Sequence, residues 1–101
     1  MKKLTAIAMS TSLIMAASGT AMADGAATYN EVCKTCHETG VASAPKLDDK
    51  AAWKPRIDQG MDALYNSALK GKNAMPPKGG RVDFSDDVIK EAVDYMVSQV
   101  K

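Results

Sequence analysis

The chain has 101 residues, 46% of them hydrophobic and 25% charged, with 13 basic residues against 12 acidic ones and a single histidine. This length allows one domain, and the near-even charge offers no basic footprint for nucleic acid. With 2 cysteines in all, a disulfide framework of several bridges is excluded.

The N-terminus reads Met1-Lys2-Lys3, then a mostly apolar stretch from Leu4 to Ala17, then Ala21-Met22-Ala23 ahead of Asp24. A positive start, a short apolar middle and small residues at the cut are the order of a secretory signal peptide. A membrane span needs about 20 predominantly apolar residues, and this stretch is shorter and is interrupted by Thr5, Ser10, Thr11 and Ser12. The reading is therefore a leader over residues 1–23, removed on export to the periplasm, and a mature domain over 24–101 without stable membrane insertion. A domain of that size gains little stability from an apolar core alone, so another staple is expected.

No run alternates apolar and polar residues over several positions, so the domain is expected to be all-α. A first helix is predicted from about Gly25 to Cys33, with Asp24 at the positive end of its dipole. Residues 38–48 read as a loop broken by Gly40, Ser43 and Pro45, after which Asp48 and Asp49 can start a helical segment that Pro55 should kink or divide. Met61, Leu64, Tyr65, Ala68 and Leu69 share one helical face, and Gly71 supplies the stop. From Gly71 to Phe84 the prolines and glycines predict a loop that carries Met75. Ser85 caps a last helix with Asp86 and Asp87 in its first turn and a buried stripe of Ile89, Ala92, Val93, Met96, Val97 and Val100.

The motif with the most chemical content is Cys33-Lys34-Thr35-Cys36-His37, the Cys-x-x-Cys-His pattern of covalent haem attachment. Thiols three positions apart reach two vinyl groups on one side of a porphyrin, and the adjacent histidine turns under the ring toward iron. A disulfide oxidoreductase also uses Cys-x-x-Cys, but in a strand-helix-strand fold for which strands and length are lacking. A structural zinc site wants four nitrogen or sulfur ligands, whereas every Cys and His of this chain lies within five consecutive residues. One covalent haem c is therefore expected, attached through Cys33 and Cys36.

His37 is the only histidine, so a bis-histidine haem within one chain is excluded. Among the mature methionines, Met61 and Met96 lie on apolar helical faces and read as core. Met75, followed by Pro76 and Pro77, has no apolar periodicity to satisfy and is the candidate partner of His37 on iron, the pairing used by cytochromes c.

With these residues in view, the mature chain resembles the class I c-type cytochromes, and specifically the bacterial cytochrome c-five group. The likeness rests on Cys-x-x-Cys-His, Met75-Pro76, Gly25 and Tyr29 ahead of the motif, Tyr95 in the last helix, and Ala51-Ala52-Trp53-Lys54-Pro55-Arg56. It implies about four short helices wrapped around one haem. It also implies a close crossing of the first and last helices at Gly25, with Ala92, Tyr95 and Met96 opposite. By the same resemblance Trp53 or Arg56 lies near a haem propionate, and the Pro45 carbonyl accepts the free ring hydrogen of His37; plain core, solvent and loop roles stand beside these. Many members carry a second cysteine pair after the methionine loop, where this chain has Arg81 and Phe84, so the loop is expected to be tied down by the Met75 bond and packing alone.

With both axial positions filled by protein, the expected function is a non-enzymatic single-electron carrier. Its partners would be redox proteins such as membrane-bound oxidases or reductases, and it would act as a monomer. A haem left open by Met75 would instead suit an enzyme or a sensor, and a fixed subunit of a larger complex differs from a shuttle only in partner. From Lys34 to Arg81 nine basic residues face five acidic ones, and from Asp83 to Asp94 one faces five. This predicts a basic rim around the haem edge, with the acidic last helix away from it.

Overall fold

A computed structural model describes residues 24–101, and the leader read over 1–23 lies outside the described residues. Four helices make up the fold, with no strand among the described residues. The first, α1, covers 24–37. Its middle, Tyr29–Cys33, is wound as a π-helix, closed by the Lys34 amide donating to the Tyr29 carbonyl, and Lys34–His37 returns to α geometry. This helix runs four residues past the predicted end at Cys33, because nothing in Lys34 to Glu38 breaks a helix. It stops where Gly40 adopts φ 84°. The wide turn runs into the attachment motif and ends on its first residue, Cys33, a place where such turns often serve a site.

Helix α2 spans Lys50–Ile57, and the Asp49 side chain caps it by accepting from the Ala52 amide. Pro55 lies inside α2 and does not divide it as predicted. The helix is short, and the bond from the Asp58 amide to the Lys54 carbonyl closes its last turn beyond the ring. Helix α3 spans Met61–Lys70 and ends at Gly71, whose φ of 85° suits glycine and whose amide donates to Ser67. Helix α4 spans Asp86–Val100; Ser85 caps it, accepting from the Val88 amide, and all six residues of the predicted stripe are buried.

Two buried clusters flank α4. Tyr29, Trp53, Met96 and Val100 form one, and Ala68, Ile89, Val93 and Val97 form the other. The crossing of α1 and α4 has a steric cause. A Cβ on Gly25 would run into the Glu91 carbonyl oxygen and lie 3.0 Å from Tyr95 Cβ, so only glycine permits this approach. Ala92, fully buried, keeps α4 thin there, and the rings of Tyr29 and Tyr95 seal the contact with centroids 5.6 Å apart. On the other side the Tyr65 phenol of α3 donates to Asp94 of α4.

Candidate haem-binding site

The elements enclose a cavity of about 350 Å³, and all four residues singled out from the sequence line it: Cys33, Cys36, His37 and Met75. Helix α1 supplies the first three. Because Cys33 and Cys36 are separated by one α-helical turn, both thiols can face the same side. His37 is buried, and its Nδ1 lies 2.9 Å from the Pro45 carbonyl oxygen. A carbonyl only accepts, so Nδ1 carries the hydrogen, and in the neutral ring Nε2 then keeps its lone pair. Burial lowers the His37 pKa; the Pro45 bond opposes this and the Arg56 charge adds to it.

The Cys33 thiol is pushed up to about 11 by burial. A disulfide oxidoreductase needs the opposite shift, since the thiolate is its nucleophile. The cavity wall is otherwise largely apolar, with Val32, Leu64, Ala68 and Val93 among its side chains. Two thiols, one oriented imidazole, one thioether and an apolar wall fit a covalently held porphyrin. Trp53 and Arg56 line the cavity too. The Trp53 indole donates to the Lys46 carbonyl at 2.9 Å, and its ring centroid is 5.9 Å from that of His37. Arg56 donates to the Ala52 carbonyl.

Met75 comes from the loop opposite α1. Lys72 and Met75 exchange both backbone hydrogen bonds, 3.0 and 2.9 Å, around a turn in which Asn73 has φ 54°. Met96, read from the sequence purely as core, is buried and lines the cavity as well, because α4 passes behind it. Met61 packs beside the second cluster.

The expectation that packing and Met75 alone tie the loop down is corrected by the structure. Lys78, which the sequence presents as one more surface charge, is only 18% exposed and binds Asp86 at 2.9 Å. Its ammonium also donates to the Phe84 carbonyl at 2.7 Å. Arg81 reaches Glu31 of α1 and both oxygens of Asp83, and its guanidinium lies 4.2 Å over the Phe84 ring. These partners bind through tertiary placement, and no sequence pattern announces them. The acidic start of α4 therefore touches the methionine loop instead of lying away from it.

Comparison with known proteins agrees with this architecture. A family model described as cytochrome c oxidase, cbb3-type, subunit III matches residues 20–96. Cytochrome c-555 of Chlorobaculum tepidum is 51% identical over 83 residues, which are 78% of this chain and 77% of that protein. Cytochrome c5 of Azotobacter vinelandii is 52% identical over 66 residues, 63% of this chain and 80% of the relative. A chain in a crystal structure titled as an electron transfer complex of nitrite reductase with cytochrome c superposes with a TM-score of 0.73 at 46% identity, covering 77% of this chain and 95% of that one. Its all-helical frame, its single Cys-x-x-Cys-His turn and these relatives together make this chain a member of the small class I c-type cytochromes, where it resembles the c5 group.

Proposed function

We propose that residues 1–23 are a leader removed on export and that 24–101 act in the periplasm as a monomeric, diffusing carrier of single electrons. In this reading Cys33 and Cys36 attach one haem c, His37 Nε2 and the Met75 sulfur are its axial ligands, and the partners are redox enzymes of the reductase or oxidase type. When bound, the haem supplies a one-electron ferric/ferrous couple. The observation that carries the reading is the shared cavity: the motif turn forms one wall, the methionine loop another, and Pro45 holds His37 with its free nitrogen unprotonated.

Each side chain has a task in that scheme. The Pro45 carbonyl fixes the imidazole's orientation and raises its basicity. Met75, on the cavity wall opposite the motif, would hold the iron through its sulfur and so keep small molecules off it, which separates a carrier from an enzyme, and a thioether ligand would raise the potential. Val32, Leu64 and Val93 line the cavity and would keep water from a haem held there. Among the described residues no helix is long and apolar enough to cross a membrane. The relative seen with nitrite reductase supports a redox-enzyme partner.

Mass spectrometry of protein from cells competent for cytochrome maturation tests attachment. A chain beginning at Asp24 and carrying one haem through denaturation is expected. A bare mass with a Cys33–Cys36 disulfide would overturn the reading.

A further inference from the structure

We propose that Lys78 is a positioning residue for Met75, the main anchor of a polar clamp, completed by Arg81, that holds the methionine loop between α1 and α4. The proposal rests on the reading of Met75 as an axial ligand.

Lys78 and Met75 are separated only by Pro76 and Pro77, whose rings fix φ. Few free backbone torsions therefore lie between Lys78 and Met75 in which a movement of Lys78 can be absorbed. On the other side of Met75 the paired Lys72 and Met75 backbones close a tight turn, so the loop moves as one piece. Lys78 anchors that piece to α4. Its ammonium binds the Phe84 carbonyl and the Asp86 carboxylate, on either side of the Ser85 cap. Its own backbone sits at φ 55°, a left-handed setting that a lysine keeps only where its surroundings hold it.

The same loop is fastened to α1. Gly79, at φ 63°, lies so close to that helix that a Cβ on it would come within 2.7 Å of Val32 Cγ1. Arg81 Nη1 binds Glu31 at 3.0 Å, fifty residues away in sequence and two before Cys33. One short segment thus sets the distance between the helix that bears His37 and the loop that bears Met75. Of the two ionic anchors Lys78 is the stronger: Asp86 is 65% exposed, as open to water as Glu31, but the Lys78 side chain itself is only 18% exposed against 40% for Arg81, and its ammonium also binds the Phe84 carbonyl, so water screens it less. A charged donor bound to a carbonyl and a carboxylate in a half-buried place is a strong hydrogen-bonding arrangement.

The test is imidazole binding to the ferric, haem-loaded protein, which reports how often Met75 leaves the iron. Met75→Ala sets the open limit. Lys78→Met should raise the imidazole association rate roughly tenfold, about the effect of losing a charged hydrogen bond. Lys78→Arg, which keeps the donors, should return toward the parent rate, and Asp86→Asn should give a smaller rise of about threefold. Lys54→Met, which removes only an exposed pair with Asp58, should leave the rate unchanged and so reports any general loosening. If Lys78→Met does not load haem, amide exchange of the parent and Asp86→Asn proteins decides: the Gly79, Arg81 and Phe84 amides, bonded within the loop, should exchange faster in the variant while those of α3 do not change. Parent-like rates in Lys78→Met and Asp86→Asn, with Met75→Ala open, would overturn the clamp and leave the ligand reading standing. If Met75→Ala binds imidazole no faster than the parent, the ligand reading falls and the clamp's role with it.

Discussion

Met75 and Met96 both line the cavity, and a single substitution separates them. Met96 also belongs to a buried cluster with Tyr29, Trp53 and Val100, so its sulfur is enclosed by core on α4, whereas Met75 is half-buried on a loop. Met75→Ala is expected to abolish the weak sulfur-to-iron absorption band of the ferric protein and to let carbon monoxide bind the ferrous form. Met96→Leu, a volume-conserving change costing less than about 1.5 kcal/mol, and Met61→Ala should leave both properties intact. Loss of the band in Met96→Leu alone would move the ligand to α4. Gly25 is the second decisive residue. Gly25→Ala places a methyl group against the Glu91 carbonyl, so α1 and α4 must part, and overpacking of this kind costs about 1–3 kcal/mol. Guanidinium unfolding of the holoprotein should show that loss, and an unchanged midpoint would mean that the crossing has slack.

At the scale of elements, the α3–α4 contact carries a pH signature. Tyr65 donates its phenolic hydrogen to Asp94, and its pKa is pushed up to about 12, first by that bond and then by burial and the Asp94 charge. A raised pKa means that the folded state holds the proton more tightly than the unfolded chain, whose tyrosine titrates near 10. The stabilisation is therefore complete below pH 10 and is lost as the pH rises from about 10 to about 12. Thermal unfolding should show stability falling across that window, and Tyr65→Phe should remove this part of the fall while costing about 1 kcal/mol at neutral pH. An identical profile in Tyr65→Phe would assign the alkaline loss elsewhere. The helices themselves followed local rules. Ser85, Asp49 and Gly71 act as caps and stop as their residue types predict. Helix α1 continues past the predicted end at Cys33 because Lys34 to His37 are compatible with another turn.

For the molecule as a whole, charge bears on partner choice. Lys34, Lys54, Lys78 and Arg81 are ion-paired, which removes nearly half of the basic residues counted between Lys34 and Arg81 from any free rim. Lys46, Lys50, Lys70 and Lys72 are exposed with no ion pair among the described residues, and Lys72 borders the cavity. Electron-transfer rates with an acidic redox partner should fall as salt shortens the Debye length to about 10 Å at 0.1 M. Lys72→Glu should slow them further at low salt. Lys78→Glu is no test of docking, since it would break the loop's anchor. Rates indifferent to both salt and Lys72→Glu would mean that docking is apolar, with exposed Val41 at the mouth of the cavity as the first residue to substitute.

The attachment motif and the helical frame are legible in the amino-acid sequence, because both depend on residues close in the chain: two thiols and an imidazole within five positions, caps beside their helices, and apolar stripes at helical spacing. The sequence also singles out Met75 among the methionines, since prolines and a missing periodicity are local signals. How distant segments meet becomes visible only in the folded chain. That Lys78 is a half-buried anchor and not a docking charge, that Arg81 reaches Glu31 fifty positions back, that the Glu91 carbonyl is what Gly25 makes room for, and that Met96 lines the cavity all depend on how α1, α4 and the methionine loop pack together. Side-chain partnerships of this kind are set by the three-dimensional neighbour, and residue type alone leaves a lysine or a methionine equally suited to surface, core or site.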